Sequence, residues 1–232
     1  MSNKPTKKGD LGKAHENRGK KSLPYAIRSR EIRKSFLLLC EGVVTEPLYF
    51  KAIAGPNTET EALGFGSSRT ALVKKAKKFC NDKSIDKGNI EVWIVFDFDV
   101  DRQIKNQKDD FNNAIEEAES QGFKVAYSND CFELWLVLHI KHLEAQLTRE
   151  EYYAMLAKHL EIDYLKTGKS GEAWLKYLPE LKSHPKMDKQ AAMKNAEKLL
   201  TSQLHKTHAD QNPVTTIYHL ANRLDPESYP MP

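Results

Sequence analysis

The sequence predicts an α/β fold, a parallel sheet flanked by helices and followed by a helical C-terminal extension. Three observations predict it. Short, predominantly apolar segments at residues 35–40, 90–96 and 123–127, with unbroken apolar stretches at 36–40 and 92–96, read as buried strands. Segments of helical period separate them, as the crossovers of a parallel sheet require. Beyond His142 only helical patterns remain.

Taken in order, residues 1–24 are rich in Lys, Gly and Asn and poor in large apolar side chains, which predicts a disordered basic tail. Arg28, Arg30, Arg33 and Lys34 lead into the first strand, which ends at Glu41-Gly42. Gly42 lets the backbone turn tightly and leaves space beside the carboxylate. Thr45 suits the cap of a helix that starts at Glu46-Pro47, because Pro is tolerated in a first helical turn. Residues 58–62 read as a short strand before the flexible Gly64-Phe65-Gly66-Ser67 loop. Ser68 or Thr70 then opens a helix to about Cys80. Its apolar face is Leu72, Val73, Ala76 and Phe79; Lys74, Lys75, Lys77 and Lys78 lie largely opposite.

After the turn at residues 86–89 comes the 90–96 strand. Asp109 or Asp110 caps a helix through Ser120, which Gly122 ends. Residues 131–140 are apolar all round, which marks a buried helix, and Glu133 inside it needs a partner or a cation. Thr148-Arg149-Glu150-Glu151 has capping-box spacing and opens a helix to about Leu160. Residues 161–187 look irregular. Asp188 opens a helix through Leu204, and Asn212-Pro213 caps the last one, over 214–224. The predicted division is a tail (1–24), a catalytic domain (25–140) and a helical extension packed on it (141–232).

The chain has 232 residues, 40% of them hydrophobic, enough for a full core. No apolar run approaches the ~20 residues of a membrane span, and the basic amino terminus lacks the apolar centre of a secretory signal. Cys40, Cys80 and Cys131 fit neither a zinc pattern nor a disulfide framework, which points to a reducing cytoplasm. Residues 1–34 carry eleven Lys/Arg against three Asp/Glu, a net of +8, so the rest of the chain is net −4. A basic arm of this kind commonly contacts nucleic acid, although it can also serve simply as a solubiliser.

The chemistry concentrates at Trp93-Ile94-Val95-Phe96-Asp97-Phe98-Asp99-Val100-Asp101. A buried parallel strand carries its chemistry at its carboxyl end, so Asp97 and Asp99 should emerge together on one side of the tip. Close carboxylates repel unless a proton or cation lies between them, and Mg²⁺ (or Mn²⁺) accepts such oxygen ligands. Glu41 ends another strand at the same edge and can converge on them. The bland alternative is a solvated acidic turn. A rival reading takes residues 94–100 as the first motif of haloacid-dehalogenase-like phosphatases, but no later strand ending in paired acids follows. His139 reads as a satisfied core histidine.

The Glu-Gly and Asp-x-Asp strand ends resemble the TOPRIM domain of topoisomerases, primases and old-family nucleases. Leu38-Leu39-Cys40-Glu41-Gly42, Thr45 to Phe50, Asp97-Phe98-Asp99, Ser128 to Trp135, His139 and Asn212 to Thr216 together look like the RloB family. Two departures from that pattern are Phe98, where Arg is usual, and Asp130, where Pro is usual. The resemblance implies a TOPRIM-like sheet and a bacterial phage-defence nuclease, often encoded beside an ATPase that serves as partner or activator. It implies that Glu41 is a general acid/base, that Asp97 and Asp99 hold the metal, and that Glu133 joins the catalytic group; Glu41 as a further ligand and Asp101, the next acid at alternate spacing, complete the expected metal set. RNA, with transfer RNA leading, is favoured over DNA as substrate. Arg28, Arg30, Lys74, Lys75, Lys78 and Lys166 are the expected nucleic-acid contacts. Homo-oligomerisation is compatible with the sequence; no membrane partner is expected. The competing functions are a DNA endonuclease of the same fold, the phosphatase, and a non-catalytic nucleic-acid-binding subunit.

Overall fold

The computed structural model describes residues 33–99, 105–164 and 183–232, together with positions 171, 175 and 178. The expected tail lies outside these residues, as do Arg28, Arg30, Asp101 and Lys166. In chain order the described elements are β1 (Lys34–Cys40), α1 (Thr45–Ile53), β2 (Thr58–Gly64), α2 (Arg69–Asp82), β3 (Ile90–Asp97), α3 (Gln107–Ser120) and β4 (Lys124–Asn129). Then follow α4 (Glu133–Leu138), α5 (Arg149–Leu160), α6 (Lys189–Gln203), β5 (Val214–Thr215) and α7 (Ile217–Leu224).

The four predicted strands form a parallel sheet in the order β2-β1-β3-β4. The apolar runs explain the central position of β1 and β3: Leu38, Leu39 and Ile94 have no exposed surface. β2 takes the edge, where its exposed Glu59 and Glu61 discourage pairing with another chain. The chain steps from β1 outward to β2, then back across β1 to β3 and β4. Right-handed crossovers place α1 on one face and α2 and α3 on the other. Accordingly α2 packs on α3, and α1 packs on α7. Phe111 of α3 holds its face of the core, edge-on to Phe96, Phe98 and Tyr127 at 5.4, 5.0 and 5.4 Å. Phe98, where the family pattern has Arg, is therefore a core residue that is 4% exposed.

Two predicted caps are present. The Thr148 side chain accepts from Glu151 N while Glu151 returns the bond to Thr148 N, and Asp188 accepts from Ala191 N at 3.0 Å. Four predicted caps are not: Thr45 lies inside the first turn of α1, Ser68 at the cap position of α2 makes no capping bond, Asp109 and Asp110 lie inside the first turn of α3 behind Asn106, and Thr216 rather than Asn212-Pro213 stands at the cap position of α7. The C-terminal part is not purely helical. Val214 and Thr215, expected to begin the last helix, pair antiparallel with β4 and add a fifth strand. Tyr127 and Ser128 are buried with polar groups to satisfy, and Thr216 N→Tyr127 O (2.8 Å) and the Ser128–Thr215 hydroxyl contact (2.9 Å) do so. None of the described helices is long and apolar enough to cross a membrane.

Candidate active site

The direction of chain travel reverses between β1 and β3. β1 leads to a helix on one face and β3 to a helix on the other, which opens a crevice at their carboxyl ends. The Glu41 amide continues the ladder onto Val95 O at 2.8 Å, so Glu41 and Asp97 stand side by side at the rim of that crevice. Asp97 N–H points to Glu41 Oε2 at 3.4 Å. A cleft of about 230 Å³ follows, lined by Glu41, Glu46, Asp97, Asp99, Glu133 and Arg149 among others.

Four carboxylates act on one another here. Asp97 accepts a hydrogen bond from Phe132 N–H at 2.9 Å. Burial nonetheless pushes its pKa well above the usual range, reinforced by repulsion from Glu46, Glu133 and Glu41. Burial also raises Glu41, with a smaller push from Glu46; the Asp97 amide, Arg69 and Arg149 oppose the rise. Glu133, expected to need a partner or cation, accepts from Tyr164 O–H at 3.2 Å. Tyr164, in the segment expected to be irregular, is 1% exposed and lies against the Tyr153 ring.

Glu46 is the acid that sequence reading missed. It is 8% exposed, in the first turn of α1. The space that Gly42 provides belongs to this carboxylate: a Cβ at Gly42 would lie 2.1–2.5 Å from it. A usable signal was present, an acid four residues beyond a glycine at a strand tip. The Gly42-Val43 turn in turn leans on Gly64, whose added Cβ would meet Val43 Cα at 2.3 Å and Gly42 O at 2.5 Å. Gly64→Ala must move backbone rather than a flexible side chain. It is expected to cost about 1–3 kcal/mol in urea unfolding; an unchanged midpoint would show that the turn does not depend on this close approach.

Asp97 and Asp99 both line the cleft, but they do different things. Asp99 takes a left-handed backbone, φ 45°, and its carboxylate pairs with Arg149 of α5. The turn is bolted from behind. Buried Arg69 donates to Phe98 O at 2.6 Å, and Gln107 donates to Phe98 O at 3.1 Å and to Asp99 O. No sequence signal announced Arg149, because its segment was legible only as a helix cap. Lys74, Lys75 and Lys78 are exposed on α2, outside the cleft lining. His139 is a core residue: its Nδ1 lies 2.9 Å from Trp135 O, and burial lowers its pKa to about 4.

The donors are hard carboxylate oxygens, the chemistry that Mg²⁺ takes. Among the described residues, however, no three His, Cys, Asp or Glu side chains are arranged to hold a metal ion. The phosphatase reading gains nothing, since β5 is antiparallel and carries no acids. A family model described as RloB-like protein matches residues 36–224, most of the chain. No curated protein and no solved structure was found to match.

Proposed function

The chain belongs to the RloB-like family, and on that premise we propose that it is a divalent-metal-dependent nuclease of TOPRIM type acting in antiphage defence. The observation that carries the reading is the convergence of Glu41, Glu46, Asp97 and Glu133 at the switch point of a parallel sheet, with Arg149 beside them. Glu41, Asp97 and Asp99 would hold the cation; Asp101 lies outside the described residues. A bound divalent ion supplies charge stabilisation at the attacking and leaving oxygens of a phosphodiester. Since Arg149 sits on Asp99, loading the site requires that ion pair to open.

The chain's own residues do the rest. Glu41 stands where it can take the proton of an attacking hydroxyl or water, or return one to the leaving oxygen. Arg149, at the cleft wall, offers a cation to a non-bridging phosphate oxygen. Phe132 N–H and Tyr164 O–H orient Asp97 and Glu133.

The favoured substrate is RNA, with transfer RNA leading, and an ATPase or another activator is the expected partner. The test is incubation of purified transfer RNA and plasmid with Mg²⁺ or Mn²⁺, with and without the neighbouring gene product. Metal-dependent cleavage of transfer RNA, abolished by EDTA, is the expected result. Plasmid nicking with intact transfer RNA would replace RNA by DNA as substrate, and cleavage of neither would overturn the nuclease reading.

A further inference from the structure

β1, β3 and β4 run parallel, so their first residues share the edge opposite the acidic cleft. A groove of about 430 Å³ opens there, lined by Arg33, Lys34, Lys87, Lys124 and Arg223 and by one acid, Glu91. Five cations against one anion leave a local excess of four positive charges. Residues 33–232, which include all of these groups, are net −2 as a whole, so this edge runs against the charge of the body that carries it.

Glu91 organises the groove rather than neutralising it. Arg223 grips its carboxylate through Nε at 3.1 Å and Nη2 at 2.6 Å, Lys124 Nζ lies 3.0 Å away, and Trp93 Nε1 donates at 2.8 Å. Burial alone would raise the Glu91 pKa, but these hydrogen bonds hold it at about 2, so it stays charged and keeps both cations in place. Lys87 is positioned independently: Nζ donates to Gln121 O at 2.7 Å and lies 4.2 Å over the Phe123 ring. Arg33 and Lys34 stand exposed where the chain enters β1. Residues 1–32, with nine Lys/Arg against three Asp/Glu, join the groove covalently at Arg33. Pre-positioned cations in a concave channel suit a chain of phosphates better than a single small anion.

We propose that this groove binds the phosphodiester backbone of a nucleic acid, roughly 20–25 Å from the acidic cleft across the length of the strands. The inference rests on the nuclease reading for the identity of the polyanion. It adds that the substrate is engaged at both edges of the sheet, so a fragment too short to span it binds more weakly than a folded RNA.

The experiment is fluorescence anisotropy of labelled transfer RNA on the full chain in EDTA, over a salt series. Arg33→Glu/Lys34→Glu/Lys87→Glu should weaken binding at least ~10-fold at about 0.1 M salt and lower the log–log salt slope by about 2–3. Lys141→Glu/Lys158→Glu/Lys194→Glu, the same charge change on exposed residues elsewhere, should do clearly less. Equal weakening by both triples would show a net-charge effect and overturn the groove, as would wild-type affinity and slope in the first. Should the first triple fail to fold, Arg33→Ala/Lys87→Ala is expected to cost about 3–10-fold, and no change would overturn the proposal. Because binding is read without metal, wild-type binding by a protein that cleaves nothing counts against the nuclease reading alone.

Discussion

Asp97→Asn is expected to abolish divalent-dependent cleavage while raising the melting temperature. The Asn side-chain oxygen can still accept from Phe132 N–H, so the local geometry survives. What disappears is a buried negative charge facing Glu46, Glu133 and Glu41. Losing the carboxylate should remove several kcal/mol of transition-state stabilisation, about 10³-fold or more in rate. The stability gain follows from the same repulsion. A folded-state pKa raised above the unfolded ~3.9 means that ionised Asp97 penalises the native state increasingly as pH rises from about 4. The variant's advantage should therefore be present at neutral pH and vanish below about pH 4. Relief of about 1–2 kcal/mol would shift the midpoint by roughly 2–8 °C in a chain of this size. Calorimetry across pH, alongside single-turnover cleavage, reads both effects. Full activity in the variant would remove Asp97 from the reaction centre, and an unchanged melting temperature at neutral pH would mean that the carboxylates do not repel as placed.

Glu41→Gln should lower the cleavage rate by about 10²–10⁴-fold with little change in stability. Gln preserves size and the acceptor facing Asp97 N–H, so binding and folding are spared. It cannot carry the proton. Burial, with a smaller push from Glu46, moves the Glu41 pKa upward against the Asp97 amide, Arg69 and Arg149, the direction that favours a carboxyl group holding and releasing a proton. The diagnostic readout is the pH–rate profile: an acid limb present in the wild type should be lost in the variant. A retained limb with an unchanged rate would assign Glu41 to the fold rather than to proton transfer.

These two residues were legible because their signals are local. Five apolar residues (36–40) followed by Glu-Gly, and five (92–96) followed by Asp-x-Asp, identify buried strands with acids at their tips whatever the rest of the chain does. Parallel pairing then brings the tips together, because crossover connections return every strand in the same direction. The positions of β1 to β4, the Thr148 and Asp188 caps and the core role of His139 follow from the same short-range rules of burial, period and hydrogen-bond satisfaction.

Other features depended on contacts between residues far apart in the chain. Glu46 looks locally like any acid in a first helical turn, favoured by the helix dipole; only the missing side chain of Gly42 shows that it turns into the cleft. Asp99 is two residues from Asp97, and an ideal strand would present both alike. The strand ends at Asp97, and Arg69 and Gln107 hold the following carbonyls in a turn that delivers Asp99 to Arg149. Val214 and Thr215 left the expected helix because β4 had buried polar groups to pair. By itself the sequence determined which segments are buried and where the strand-tip acids of the cleft, Glu41, Asp97 and Asp99, fall along the chain, since burial and period are properties of neighbours. The tertiary structure decided which cation each acid meets and which edge of the sheet gathers the basic residues, since a charge is neutralised by whatever lies within a few ångströms of it, however distant in sequence.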